Sequence, residues 1–160
     1  MSSAVHLPAP PPAEHRAPHR VGDPWRHILV ATEGDPDSVA PVARALELAR
    51  RDGADLTILV AQPVEGPGLS RERPISRAIE VLIERGRAAG LVVTVETRHG
   101  AAGRAIVDAA REVSADLVVV GRHGRPLDMP AYAATCGYVL THSDRPVLVV
   151  QPWAPQEATR

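Results

Sequence analysis

The sequence predicts an α/β protein built on one open, doubly wound parallel sheet of five strands with helices on both faces. Two observations predict it: five short apolar runs alternate with four amphipathic helical patterns, and the fourth run ends in the glycine-rich turn 121–124. Parallel neighbours need crossover connections, which the helical patterns supply. In such sheets, ligands bind beyond the carboxyl ends of the strands, where the winding reverses.

The first half of the domain contains two strands and two helices. Residues 27–32 and 55–61 are apolar runs of strand length. Between them, Ser38 is suited to cap a helix that ends at Arg51, and Pro41 falls in its first turn, where the missing N–H costs nothing. A polar loop over residues 62–71 leads to a second helix that ends near residue 89. The inward-facing stripes of these helices are Val42, Ala45, Leu46, Ala49, and Ile75, Ile79, Leu82, Ile83.

The second half repeats this pattern with three strands and two helices. Residues 91–98 alternate apolar and polar side chains, which is typical of a half-buried or edge strand. A helix over residues 102–113 follows. A fourth strand over 116–120, a helix ending near Ser143 and a final apolar strand over 146–151 complete the domain. The stripe of the third helix is Ile106, Ala109, Ala110 and Val113.

Composition and charge limit the classes of function. The formal net charge of the 160 residues is −1, without the positive excess that nucleic-acid or polybasic membrane binding needs. All 18 basic side chains are arginine, so a Walker-type or Schiff-base lysine is absent. Cys136 is the single cysteine, which excludes an internal disulfide and a cysteine-based metal cage. Without a leader-like or membrane-length apolar run, the expected location is the cytoplasm.

Two tails flank the predicted domain. Residues 1–25 hold six of the 16 prolines and little apolar periodicity, which favours a disordered or polyproline-like tail. Residues 152–160 form a shorter tail. The folded domain is therefore predicted over residues 26–151.

Three segments resemble the universal stress protein family of the UspA type. They are residues 27–35 (HILVATEGD), 115–124 (ADLVVVGRHG) and 145–150 (RPVLVV), in the family's order and roughly its spacing. The resemblance covers residues 26–151 and implies a stress-response protein. It also implies strand order 3-2-1-4-5, with the reversal between the first and fourth strands, and a homodimer joined along the last strand over residues 146–150.

The resemblance further implies, for one branch of the family, ATP held at the reversal by the pattern Gly-x2-Gly-x9-Gly-[Ser/Thr]. Gly121 and Gly124 supply the first two glycines. Counting forward places the third element at Ala134 and Thr135, whereas counting back from the last strand places it at Ala133 and Ala134. Alanine replaces the third glycine in either register. The implied binding residues are Ala31, Thr32, Glu33, Ala61, Gly121, Arg122, His123, Gly124, Arg125, Ala133, Ala134 and Thr135.

Three hypotheses about function follow. The alanines predict a degraded or weakened nucleotide site in a dimeric regulatory module that is not an enzyme. An alternative is a functional ATP-dependent switch in which Thr135 supplies the hydroxyl and the loop has shortened. A third hypothesis is a nucleotide hydrolase using Asp35 and His123, although no nucleophile or acidic orienter is recognisable beside His123.

Three acidic side chains follow the first strand. Glu33 stands where the ATP-binding branch of the family usually has Asp. Together with Asp35 and Asp37 it is suited to a ribose hydroxyl or to Mg²⁺ shared with a nucleotide. Structural roles are also available, because Asp35 suits a turn and Asp37 suits a helix N-terminus. Repulsion among the three carboxylates favours a cation opposite them, either Arg122 or Arg125.

Overall fold

The computed structural model describes residues 19–62, 74–122 and 129–151, with backbone only for 129–133. Residues 1–18 and 152–160 of the predicted tails lie outside this part, as do most of the predicted loop 62–71 and residues 123–128. The described residues form five strands and four helices. In chain order these are β1 His27–Thr32, α1 Val39–Asp52, β2 Asp55–Gln62, α2 Arg77–Ala88, β3 Val93–His99, α3 Ala102–Glu112, β4 Leu117–Gly121, α4 Met129–His142 and β5 Val147–Val150.

The strands form one parallel sheet in the order β3-β2-β1-β4-β5, which confirms the predicted fold and strand order. The winding reverses between β1 and β4, because β1 pairs with β2 on one side and with β4 on the other. The carboxyl ends of these two strands therefore border the crevice in which such sheets bind ligands. None of the helices in the described ranges has the length and apolar character needed to cross a bilayer.

Alternation along β1 divides the core into two layers. Ile28 and Val30 are fully buried in the cluster that contains the apolar faces of α1 and α2. Leu29 belongs to the opposite cluster, with Ile106 of α3 and Val139 of α4. Successive side chains of a strand point to opposite faces, so a continuously apolar run is needed wherever helices cover both. The helix stripes predicted from the sequence all lie in these two layers, with Ile75, Leu82 and Val113 partly buried.

Helix α1 begins at Val39, directly after the predicted cap residue Ser38. A single 3-10 turn, Pro36–Ser38, precedes the helix, and the Asp35 carboxylate caps that turn. Asp35 Oδ1 accepts hydrogen bonds from the Ser38 N–H at 2.9 Å and from Ser38 Oγ at 2.6 Å. Ser38 occupies the N-cap position of α1, as predicted, but its buried hydroxyl donates to Asp35 and makes no side-chain capping bond to the helix. At the other end, Gly53 takes the left-handed conformation (φ +69°) that terminates the helix.

The segment before β1 is fixed against the end of α1. Trp25 packs against the α1/α2 core layer, and its backbone N–H donates a hydrogen bond to Asp52 Oδ2 at 3.0 Å. The ring of His19 stacks on Trp25 with centroids 3.7 Å apart. Arg51 Nε lies 2.6 Å from Asp52 Oδ1. The hydrogen bond from Arg51, followed by that from the Trp25 N–H, lowers the pKa of Asp52 to about 2.

Replacing Asp52 with asparagine is expected to lower the free energy of unfolding at pH 7 on the order of 1 kcal/mol, since Arg51 is mostly exposed and screened by solvent. The pKa of Asp52 is depressed in the folded state, so its stabilisation is present above the ordinary value of 3.8 and is lost as pH falls towards 2. Denaturant unfolding of both proteins at several pH values measures the difference. If the difference in the free energy of unfolding between the two proteins stayed constant as the pH falls from 7 to about 2, the lowered pKa of Asp52 would be contradicted.

Candidate functional site

The candidate site lies at the carboxyl ends of β1, β2 and β4. Ala31 pairs with Leu59 of β2 and with Val120 of β4, and Ala61 lies one step beyond the last β1–β2 pair. Ala31 and Ala61 are only 8% and 5% exposed, respectively. Both alternate with residues of the α1/α2 layer, so both point to the α3/α4 side of the sheet. The strand ends therefore present two methyl groups where larger side chains would fill the crevice.

Thr32 shapes the turn that follows β1. Its side chain is 3% exposed, and Oγ1 accepts a hydrogen bond from the Gly34 N–H at 2.8 Å. Gly34 has a φ of +86°, a conformation that residues with a side chain rarely adopt. This turn leaves Glu33 exposed at the crevice. The hydroxyl of Thr32 is thus committed to the backbone, whereas the Glu33 carboxylate forms no hydrogen bond with the described residues.

The acidic side chains after β1 do not converge on one point. The Asp35 carboxylate is occupied by Ser38, and Asp37 is exposed in the first turn of the 3-10 segment. Within residues 19–62, 74–122 and 129–151, no three His, Cys, Asp or Glu side chains are placed to hold a metal ion. Arg122 is exposed and forms no ion pair with these acids among the described residues, so its place opposite them stays a prediction. The other candidate, Arg125, lies outside the described residues.

Gly121 ends β4 and lies against α1. A Cβ on Gly121 would lie 2.7 Å from Cγ of Pro41 and 3.4 Å from Cβ and Cδ of the same ring. This glycine is therefore required by helix-to-strand packing on the α1 side of the sheet, irrespective of any ligand. Its neighbour Arg122 donates its backbone N–H to the carbonyl of Val150 at 2.7 Å, which ties the strand exit to β5. His123 and Gly124, the remainder of the predicted turn, lie outside the described residues.

Helix α4 begins at Met129, before the positions assigned to phosphate. Ala133, Ala134 and Thr135 therefore lie in its second turn, where each backbone N–H donates to the carbonyl four residues earlier. Only the first four N–H groups of a helix are free to bind an anion. The side chain of Ala134 is exposed and that of Thr135 is half-buried.

Ser76 is a residue near the site that the sequence did not single out. Its N–H donates to the Gly34 carbonyl at 2.8 Å, so it lies beside the turn after β1, at the N-cap position of α2. Its Oγ is buried and has no hydrogen-bond partner among the residues that the structure describes. The sequence analysis placed Ser76 inside the second helical pattern, whose stripe was predicted to include Ile75, whereas α2 begins at Arg77 with Ser76 as its N-cap residue.

Comparison with known proteins agrees with this architecture. Residues 24–151 match the family model described as "Universal stress protein family". No curated protein matches the sequence. One solved structure, a universal stress protein in complex with cAMP, is 29% identical, with a TM-score of 0.62 over 81% of this chain and 98% of that one.

Two further solved structures share the fold at lower identity. The universal stress protein UspA from Lactobacillus plantarum is 22% identical, with a TM-score of 0.57 over 79% of this chain and 97% of that one. A universal stress protein from Archaeoglobus fulgidus, in complex with dAMP, is 19% identical, with a TM-score of 0.58 over 79% and 98%. The matched segment covers the whole sheet and all four described helices. This chain belongs to the universal stress protein family.

Proposed function

We propose that this protein is a homodimeric, non-enzymatic regulatory module that binds an adenine nucleotide with a single phosphate, such as cAMP, and binds ATP more weakly. The observation that carries the proposal is the position of Ala133 and Ala134 inside α4, with their N–H groups committed to the helix. The crevice at the strand ends is still open to a base and ribose. A triphosphate, however, lacks the backbone N–H donors that α4 uses for its own hydrogen bonds.

The base end of the crevice supports this assignment. The side chains of Ala31 and Ala61 are small and lie on the α3/α4 side of the sheet, which leaves room for a flat ring against the strand ends. Glu33 is exposed beside them and has an uncommitted carboxylate that can accept from ribose hydroxyls. The universal stress protein that is 29% identical to this chain was solved in complex with cAMP, and the comparison covers 98% of its length.

The phosphate end supports the preference for one phosphate. Each additional phosphate adds charge that backbone N–H groups, arginines or Mg²⁺ must compensate. In the described residues, the acids that were candidates for Mg²⁺ do not converge, and Asp35 is used as a cap. The alternative of an ATP switch through Thr135 requires that residue's half-buried hydroxyl to reach a phosphate from the second turn of α4.

The two edges of the sheet support dimerisation through β5. The β3 edge carries charge: Arg98 pairs with Glu96 at 2.7 Å and with Glu112 of α3. These carboxylates, Glu112 first, raise the pKa of Arg98. Charged side chains along an edge strand oppose pairing with another strand. The β5 edge, Val147–Val150, is apolar and partly exposed.

The backbone of β5 is arranged for a second strand. The carbonyls of Pro146 and Val150 accept from the N–H groups of Val118 in β4 and of Arg122 directly after β4, so residues 146, 148 and 150 face that strand. Val147 and Val149 therefore direct their N–H and C=O groups away from the sheet. A two-fold related β5 would satisfy these groups in antiparallel pairing.

Helix α4 extends the same surface. Cys136 and Val139 point into the core, and Tyr138 packs on Gly103 of α3. At about 100° per residue, Leu140 falls on the flank of α4 opposite α3, and its side chain is 57% exposed. Leu140 and the 37% exposed Val149 thus form an apolar margin along the β5 edge. A second copy paired through β5 would bury this margin.

Titration calorimetry of cAMP against the wild-type protein and two valine variants tests the site. Ala61→Val adds two methyl groups inside the crevice and is expected to weaken cAMP binding at least fivefold, while the β-branched residue suits the strand. Ala88→Val, on the exposed face of α2, is the matched control and should bind as wild type does. No measurable cAMP binding to the wild-type protein, or equal binding by both variants, would contradict the proposal.

A further inference from the structure

A cleft of about 530 Å³ lies between α1 and α2, on the face of the sheet opposite α3 and α4. Its walls are built from residues at helical spacing on the two helices, and its apolar part consists of Ala43, Leu46, Leu82, Gly86, Ala89 and Leu91. Gly86 brings the helices together: a Cβ there would lie 2.7 Å from Cδ2 of Leu46. The cleft is therefore a fixed feature of helix packing.

Cationic side chains are concentrated at one end of this cleft. Arg50, Arg51 and Arg85 line it, and all three lie in the last turns of their helices. Helices α1 and α2 lie on the same face of the sheet, and each runs from the carboxyl end of one strand back to the amino end of the next. The last turns of both helices therefore lie at the same end of the cleft. Arg51 is paired with Asp52. Arg50 and Arg85 form no ion pair with any residue in the described ranges, and Glu47, the acid in the wall, is taken by Arg44 at 2.7 Å. The cleft therefore suits an apolar segment that carries one negative charge at the arginine end.

The chain itself supplies such a segment close by. The stacked pair His19–Trp25 is fixed to Asp52, next to Arg51, so the chain before residue 19 departs from the arginine end of the cleft. Glu14 is the single acidic residue among residues 1–18, and it directly follows the uncharged stretch 7–13, LPAPPPA. From His19 back to Glu14 the chain spans at most about 17 Å, at roughly 3.3 Å per residue.

The lengths also agree. The cleft extends over seven residue steps of each helix, from Ala43 to Arg50 and from Leu82 to Ala89, about 10 Å at 1.5 Å per step. Four residues in polyproline II conformation cover about 12 Å and need no internal hydrogen bonds. Residues 10–13 match that length, and their prolines lose little conformational freedom on docking.

The geometry points to the N-terminal segment 10–14 of the same chain as the occupant of the α1/α2 cleft, with the Glu14 carboxylate between Arg50 and Arg85. Tethering through His19 makes this an intramolecular contact with a high effective concentration, so a modest interface is sufficient. The occupied face is opposite α3 and α4, so the docked segment and a nucleotide at the candidate site lie on different faces of the sheet.

Limited trypsin digestion of the full chain tests this docking at the Arg16–Ala17 bond. Cleavage there is followed by mass spectrometry in wild type and in the double variant Arg50→Gln, Arg85→Gln, in which the sequence around the bond is unchanged. Release of Glu14 from the cleft should speed cleavage at least fivefold. The matched control is Arg77→Gln, Arg104→Gln, which removes two exposed arginines outside the cleft and should cleave within twofold of wild type.

Two outcomes would overturn the assignment. Equal cleavage rates in wild type and the Arg50/Arg85 variant would show that the segment does not use these arginines. Protection that disappears on dilution would show that a second copy covers the cleft, because an intramolecular contact is independent of concentration. Circular dichroism of all three proteins establishes that the exposed arginines were removed without loss of fold.

Discussion

Replacing Gly121 with alanine is expected to lower the free energy of unfolding by about 1–3 kcal/mol, the usual cost of forcing an extra methyl group into a packed core. The new Cβ would lie 2.7 Å from Cγ of Pro41, a distance that real Cβ contacts essentially never show. The proline ring is rigid and cannot rotate aside as a flexible side chain would, so α1 or the end of β4 must shift. Chemical denaturation of both proteins measures the difference.

Gly137 provides the matched control. It is exposed in α4, and a Cβ there meets no heavy atom within 4 Å. Gly137→Ala is therefore expected to stabilise the protein by about 0.5–1 kcal/mol, since alanine is the better helix former. Pro41→Ala should partly rescue Gly121→Ala, with a coupling free energy of about 1 kcal/mol in a double-mutant cycle. Gly121→Ala with wild-type stability, or additive effects in the cycle, would contradict the packing account.

Introducing lysine at Val149 is expected to weaken dimerisation at least 100-fold, equivalent to about 2.8 kcal/mol at 1.4 kcal/mol per tenfold. Val149 is exposed on the uncovered edge of the sheet, and its backbone groups face outward from β5. A lysine there would place an unpaired ammonium beside its symmetry mate in the centre of the strand pair, where desolvation and repulsion add. Sedimentation over a range of protein concentrations gives both dissociation constants.

Val92→Lys is the control for added charge. Val92 precedes β3 at the opposite side of the sheet and is 61% exposed, so lysine there changes the net charge equally without touching β5. Its dimer dissociation constant should match that of wild type. A wild-type protein that stays monomeric at high concentration, or equal weakening by both lysines, would rule out the β5 interface.

The strands and helix faces were predictable because burial on both sides of a sheet forces continuous apolar runs. Residues 27–32 coincide with β1, and the alternation over residues 91–98 predicted a half-buried or edge strand, which the structure shows to be the edge strand β3. The arrangement 3-2-1-4-5 came from family resemblance, since the apolar runs specify strands without specifying their neighbours. The structure confirms that order.

The local chemistry of the site was less predictable because it depends on contacts between distant residues. Gly121 was interpreted as a ligand-binding glycine, yet it packs against Pro41. The two residues are 80 positions apart in the chain, so the sequence around Gly121 contains no sign of this contact. Ser38 was expected to cap α1 with its side chain, whereas the side-chain capping bond in this segment comes from Asp35, at the start of the preceding 3-10 turn. Both residue types have high N-cap propensity, so propensity alone does not choose between them. The start of α4 at Met129 was likewise not predicted. Proline disrupts the interior of a helix but is tolerated in its first turn, so the proline at residue 130 does not by itself show where the helix begins.

The preference for a nucleotide with one phosphate is tested most directly by a competition between cAMP and Mg·ATP for the same site on the wild-type protein, with both dissociation constants taken from one displacement titration. The second-turn position of Ala133 and Ala134 predicts that cAMP binds at least tenfold more tightly than Mg·ATP. Equal or tighter binding of Mg·ATP would mean that the altered loop still closes over a triphosphate. The ATP switch through Thr135 would then replace the mononucleotide module as the function of this protein.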